Sequence, residues 1–237
     1  MSRRNIVSLL IVIVFVPATL VVSWALGDRR FYICGLLIIA YAMIPFFVGF
    51  ERRRPQAREM VSIAVLCAIA VVSRAAFVML PQFKPMTGIV IISGMAFGPS
   101  AGFLTGAVSG FVSNFIFGQG PWTPWQMFAF GVAGFIGGLL KNKGLMKGEK
   151  RFSSAVLGGL IVMLITGPIL DTCTLFTMSS VVNAASAGAI YLAGVPFNAV
   201  HAAATALTIL LLGKPMLEKL ERIRIKYGLM EEGRNEV

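Results

Sequence analysis

Apolar residues dominate this chain in long runs, and the polar positions fall between the runs rather than alternating within them. A run of roughly 20 apolar residues is long enough to cross the hydrocarbon core of a bilayer as a helix. Eight apolar stretches are legible, at about 5–26, 31–50, 57–80, 86–97, 100–117, 121–140, 153–178 and 189–212. The fourth is short and ends at Gly98-Pro99, which predicts a break before the fifth. The pattern therefore predicts an all-α integral membrane protein. A helix pair over 1–55 precedes a six-helix domain over 56–213, and a cytoplasmic tail over 214–237 is read as helical.

Composition agrees with the pattern. Of the 237 residues 57% are hydrophobic and 13% charged, where a soluble domain carries about 25% charged residues. The first run has two readings, a leader peptide or a retained helix. Its apolar core exceeds the roughly 7–15 residues of a leader and a second span follows directly, so the retained helix is favoured. Met216, Leu217, Leu220 and Ile223 recur at helical spacing in the tail.

The net charge of +11 could suggest nucleic acid, but its placement argues otherwise. With the N-terminus inside, 17 of the 21 Lys and Arg residues fall on the cytoplasmic side; only Arg29, Arg30 and Lys84 lie outside, and Arg74 lies within a span. This bias follows the positive-inside rule and puts both termini in the cytoplasm. The turn GQGPWTPWQ (residues 118–126) then faces outward.

Gly94, Gly98, Gly102, Gly106 and Gly110 recur every four residues, continued by Asn114 and Gly118. Such a small-residue stripe lets another helix approach closely. Tight packing within the bundle is one reading; a helix pair that shifts around a ligand is the other, and the two are compatible. Ala64 and Ala68 form a second small-residue pair. Cys34, Cys67 and Cys173 lie singly in apolar runs and read as small hydrophobes.

Catalytic signatures are absent. The chain has no phosphate-binding loop, HExxH or GxSxG, and no cofactor motif. The ionisable residues within spans are Arg74, Asp171 and His201, too few for a metal enzyme. Charge is costly in a bilayer, so these three call for an explanation. An Arg74–Asp171 pair that only locks helices is one. Convergence beneath an outward pocket, roofed by the tryptophan turn and bordered by Lys84, is the other.

The run FKPMTGIVIISGMAFGPSAGFLTGAVSGFVSNFIFG, the following GQGPWTPWQ and the Ala64/Ala68 pair together resemble the substrate-binding S-component of energy-coupling factor (ECF) vitamin transporters. The resemblance covers about 58–212. It implies a bacterial-type plasma-membrane protein, not an enzyme and without a cofactor, that captures a vitamin at the outer face. A separate membrane T-component and two ATPase subunits would then drive release inward. Ala64 and Ala68 would contact the T-component, and the loops around Phe83 and Trp122 would close over substrate. The candidate substrate-binding set is Arg74, Phe83, Lys84, Gln119, Trp122, Trp125, Asp171, Asn198 and His201. The outward stretch is most like the cobalamin-type members, which makes a corrinoid the favoured substrate. Pantothenate, riboflavin and a queuosine precursor stand as alternatives. A self-sufficient secondary transporter is the rival class, and it would need matched broken helices in two repeats. The pair over 1–55 departs from the usual six helices.

Overall fold

The computed structural model describes residues 31–51, 57–179 and 181–229. The first apolar run and the choice between leader and retained helix lie outside them. The described residues are helical throughout their spans and contain no strand. They form α1 (Phe31–Glu51), α2 (Ala57–Ala76), α3 (Met86–Phe97), α4 (Pro99–Phe117), α5 (Thr123–Asn142), α6 (Arg151–Ile161), α7 (Gly167–Met178) and α8 (Ala184–Tyr227). A π-helical segment, Val162–Thr166, joins α6 to α7. Among the described residues five helical stretches are long and apolar enough to cross a membrane, and α6 to α7 counts as one of them.

The shortest apolar helix sits deepest. At about 1.5 Å per residue, α3 is about 18 Å long and falls short of a roughly 30 Å bilayer core. All 12 of its residues are buried. A helix that is apolar all round belongs inside a bundle, and α3 packs against α2, α4, α5 and α8. It ends where Gly98 takes φ 91°, a conformation that favours glycine, and Pro99 opens α4. The break foreseen at Gly98-Pro99 is thus a full stop between two helices.

The glycine ladder divides by physical role. A Cβ at Gly94 or Gly102 would fall on the backbone of Gly134 in α5, and one at Gly106 on the backbone of Phe130. These glycines let α3 and α4 lie backbone to backbone against α5. Gly98 and Gly118 have open space around them and are required instead by φ of 91° and 96°.

The Gly167-Pro168 pair reads from the sequence as a kink before Asp171, and the structure gives that bend a different form. The helix passes through Pro168 without stopping, and the π segment immediately before it supplies the wider turn. A proline ring clashes with the carbonyl of the preceding turn, and a π turn relieves that contact.

The last span and the tail are one element. At 44 residues α8 is about 66 Å long, so it outlasts the bilayer. It starts at a capping box formed by Asn183 and Ser186. No helix end marks position 213. Met216, Leu217 and Leu220 pack against the bundle, and Arg224 donates 3.4 Å to the carbonyl of Ala96 near the C-terminus of α3. A cation there complements the helix dipole.

The helix over the second apolar run, α1, is part of the same body. Phe46 stacks on Phe103 with ring centroids 4.0 Å apart, and Ile39 packs with Trp125 and Cys173.

Candidate functional site

Three connections share one end of the bundle: residues 77–85 between α2 and α3, residues 118–122 between α4 and α5, and the segment between α7 and α8. Each has a local cause. The α2–α3 loop turns at Gln82, the one non-glycine with positive φ among the described residues, and Phe83 packs on Phe77 with centroids 5.1 Å apart. The tryptophan turn starts at Gly118 and is held by its own side chains. Trp122 Nε1 donates to the Gly118 carbonyl at 3.2 Å, and the Thr123 hydroxyl donates to Gln119 Oε1 at 2.9 Å. Pro121 and Pro124 restrict the backbone on either side of these bonds.

Beneath the turn lies Arg74, buried at 8% exposure in the last turn of α2. Its guanidinium donates to Ser113, to Asn114 Oδ1 at 3.1 Å and to Gln126 Oε1 at 3.4 Å, and sits 4.4 Å from the centre of the Phe117 ring. Asn114 in turn donates to Thr123 at 3.0 Å. Arg74 therefore ties α2 to α4, α5 and the turn through neutral acceptors.

Asp171 is engaged elsewhere: it accepts from Asn198 Nδ2 at 2.7 Å. The Arg74–Asp171 helix lock considered from the sequence is therefore not formed: Asp171 pairs with Asn198, and Arg74 locks other helices. The clasp between α7 and α8 is reciprocal. A Cβ at Gly194 would lie 2.6 Å from both Asp171 oxygens, and one at Gly167 would lie 2.7 Å from the Asn198 amide nitrogen. Each polar side chain lies over a glycine of the opposite helix, so Gly167/Asp171 and Gly194/Asn198 form two matched pairs at spacing four. Thr172 and the Tyr191 hydroxyl, 2.7 Å apart, extend the contact.

A cavity of about 330 Å³ opens between these parts. Its lining includes Gln82, Lys84, Trp122, Gln126, Asp171, Ile190, Phe197, Asn198 and His201. His201 is buried, with Nε2 2.7 Å from the Thr87 hydroxyl and its ring edge-on to Phe130. Lys84 is half-buried. Burial, helped by the nearby Arg74 charge, pushes its ammonium down to about 8.

Five of the nine residues picked from the sequence thus line one cavity: Lys84, Trp122, Asp171, Asn198 and His201. Four do not. Arg74 lies behind Gln126, Phe83 packs on Phe77, and Gln119 braces the turn by donating 3.1 Å to the Phe111 carbonyl. Trp125 is 5% exposed and meets Ile39 and Phe176, whereas Trp122 is 37% exposed. The two tryptophans of the turn therefore have different jobs, one in the core and one at the mouth. Sequence reasoning missed Gln82, Gln126 and the paired glycines Gly167 and Gly194. The GxxxD and GxxxN spacings were the available signal for the glycines.

A larger cleft of about 700 Å³ lies at the opposite end, between residues 141–149 and the outer part of α8. Its rim is mostly Lys, Arg and Glu, whereas small-molecule sites are mainly apolar with a few placed polar groups. On α2, Ala64 and Ala68 are exposed together with Met60, Val61, Val65, Ile69 and Val72. This stripe is not covered by any described residue.

Residues 55–219, more than half of the chain, match the family model described as "ECF-type riboflavin transporter, S component". No solved structure matches the chain.

Proposed function

The chain belongs to the S-component family of ECF transporters, and from that premise we propose that it captures a vitamin in the cavity beside the tryptophan turn. In this reading the turn faces outward, as the basic residues argue, and both termini are cytoplasmic. Delivery falls to a T-component and two ATPase subunits, since the chain has no phosphate-binding loop of its own. The exposed stripe of α2 around Ala64 and Ala68 is the face offered to the T-component.

The ligand in this proposal is a flat heteroaromatic vitamin of riboflavin size. The observation that carries it is the cavity itself. About 330 Å³ is at the small end of ligand pockets, which run from roughly 300 to 1,000 Å³. Trp122 and Phe197 offer aromatic faces for stacking, and Gln126, Asp171 and Asn198 offer hydrogen bonds to ring edges. A corrinoid, the substrate favoured from the sequence, is several-fold larger than such a ring, and the family match gives that preference no support. A self-sufficient carrier is less well supported too. Its two broken helices would have to correspond, whereas the chain stops at Gly98 and runs on through Pro168.

The test is ligand binding by the purified protein alone, read by titration against riboflavin, pantothenate, a queuosine precursor and cobalamin. Sub-micromolar riboflavin binding is the expected result. Tight cobalamin binding with no flavin binding would overturn the ligand class, and a blank panel would overturn the capture role.

A further inference from the structure

The charge balance of the cavity deepens the capture reading above and rests on it. Two cations from different elements meet at this end. Arg74 is buried, and all three side chains that accept its hydrogen bonds are neutral. Lys84 comes from the α2–α3 loop and lines the cavity itself. Neither is ion-paired among the described residues; the pairs Lys214–Glu218 and Glu221–Arg224 lie on the far part of α8. Asp171 is the one carboxylate in the lining, and Asn198 already donates to it.

A cation held away from bulk water is costly unless an opposite charge or hydrogen bonds compensate it. Arg74 has a structural account, because its neutral acceptors join α2 to α4 and α5. Lys84 has none. No described residue accepts a hydrogen bond from its ammonium, and the Arg74 charge nearby opposes its own. Such a group lowers stability in the empty protein and gains most from an anion that enters the cavity.

We infer that the ligand carries an anionic group, a phosphate or a carboxylate, which seats against Lys84 in the field of Arg74. Its uncharged ring lies toward Trp122, with the Asp171–Asn198 pair at its polar edge. A cationic group is disfavoured at the Lys84 end of the cavity, where it would meet a like charge.

The experiment compares riboflavin, its phosphate ester and pantothenate by titration calorimetry near neutral pH, using wild type, Lys84→Gln and Lys84→Arg. The ester is expected to bind at least about 10-fold more tightly than riboflavin, a difference of about 1.4 kcal/mol. Lys84→Gln should erase that advantage, and a cooperative thermal melt of the same sample shows that the variant is folded. Lys84→Arg should keep the advantage. Equal or tighter binding of riboflavin overturns the inference and leaves the capture reading standing. An ester preference that survives Lys84→Gln also overturns it. Lys84-dependent binding of pantothenate with no flavin binding supports the inference and overturns the flavin class. No binding of any vitamin overturns both.

Discussion

The glycine ladder invites a perturbation whose size follows from the geometry. At Gly102 a methyl group would lie 2.5 Å from the carbonyl oxygen of Gly134. Both partners are helix backbone, so no rotamer change can relieve the contact and α4 must move away from α5. Overpacking of a core costs about 1–3 kcal/mol, and a backbone-on-backbone clash belongs at the upper end. At Gly98 nothing lies within 4 Å of the added methyl, and the penalty is only that of φ 91°. With ψ at 171° this is a region that essentially only glycine adopts, and an L-residue there costs roughly 1–3 kcal/mol. The two sites therefore differ in how they respond to size. Gly102→Ala should lower the thermal midpoint of the detergent-purified protein by about 6–12 °C, taking roughly 2–4 °C per kcal/mol for a chain of this length. Gly102→Val should then fail to fold. Gly98→Ala and Gly98→Val should cost about the same as each other, roughly 2–12 °C. Differential scanning fluorimetry of the four variants reads this directly. A Gly102→Ala protein as stable as wild type would refute close backbone packing and favour a loose, mobile α4.

The two tryptophans should separate stability from binding. Trp122→Ala is expected to weaken ligand affinity about 10-fold or more with little change in melting temperature, whereas Trp125→Ala should cost about 3–5 kcal/mol of stability. Leucine at Ala64 and Ala68 should abolish uptake in cells while the purified protein still binds its vitamin; normal uptake would remove this stripe as the docking face. Asp171→Ala should weaken binding, and Gly194→Ala should do so nearly as much by displacing the Asp171 carboxylate from Asn198. A Gly194→Ala protein with wild-type affinity would separate the clasp from the site. For pH, Lys84 has a folded-state value of about 8 against an ordinary 10.5. The unfolded chain therefore binds more protons in that window, and stability should rise with pH between the two values. Thermal melts of ligand-free wild type against Lys84→Gln test the sign, since the variant should lose this rise. Affinity for an anionic ligand should instead fall as pH climbs through about 8, as Lys84 loses its charge.

How much of this was legible in the chain depended on the range of the interaction that sets each feature. Span positions follow from apolar run length, a local property, and the helices from α2 to α7 start and stop close to the runs. The Gly98-Pro99 stop was legible for the same reason, because a positive-φ glycine followed by proline needs no partner to end a helix. Pro168 was misleading, since the π turn that lets the helix continue is made by the preceding residues, which carry no proline or glycine of their own. The length of α8 was hidden because Gly213 and Pro215 look like a terminus, while docking of Met216, Leu217 and Leu220 on the bundle holds the helix through them.

The site shows the same division. Residue type alone suggested that Arg74, Asp171 and His201 matter, because a charge within a span needs a reason. Their partners depend on helix rotation, which no local pattern encodes. That is why Asp171 could be matched on paper with Arg74, although the geometry gives it to Asn198 across two glycines. Trp122 and Trp125 are three residues apart and chemically alike, yet one faces the cavity and the other α1 and α7. The additional N-terminal helix decides that difference: Ile39 and Gly35 of α1 meet Trp125, fixing it as core. The part of the chain that departs from the six-helix pattern thus buttresses the turn from outside. Trp122 lacks such a neighbour and stays 37% exposed at the mouth of the cavity.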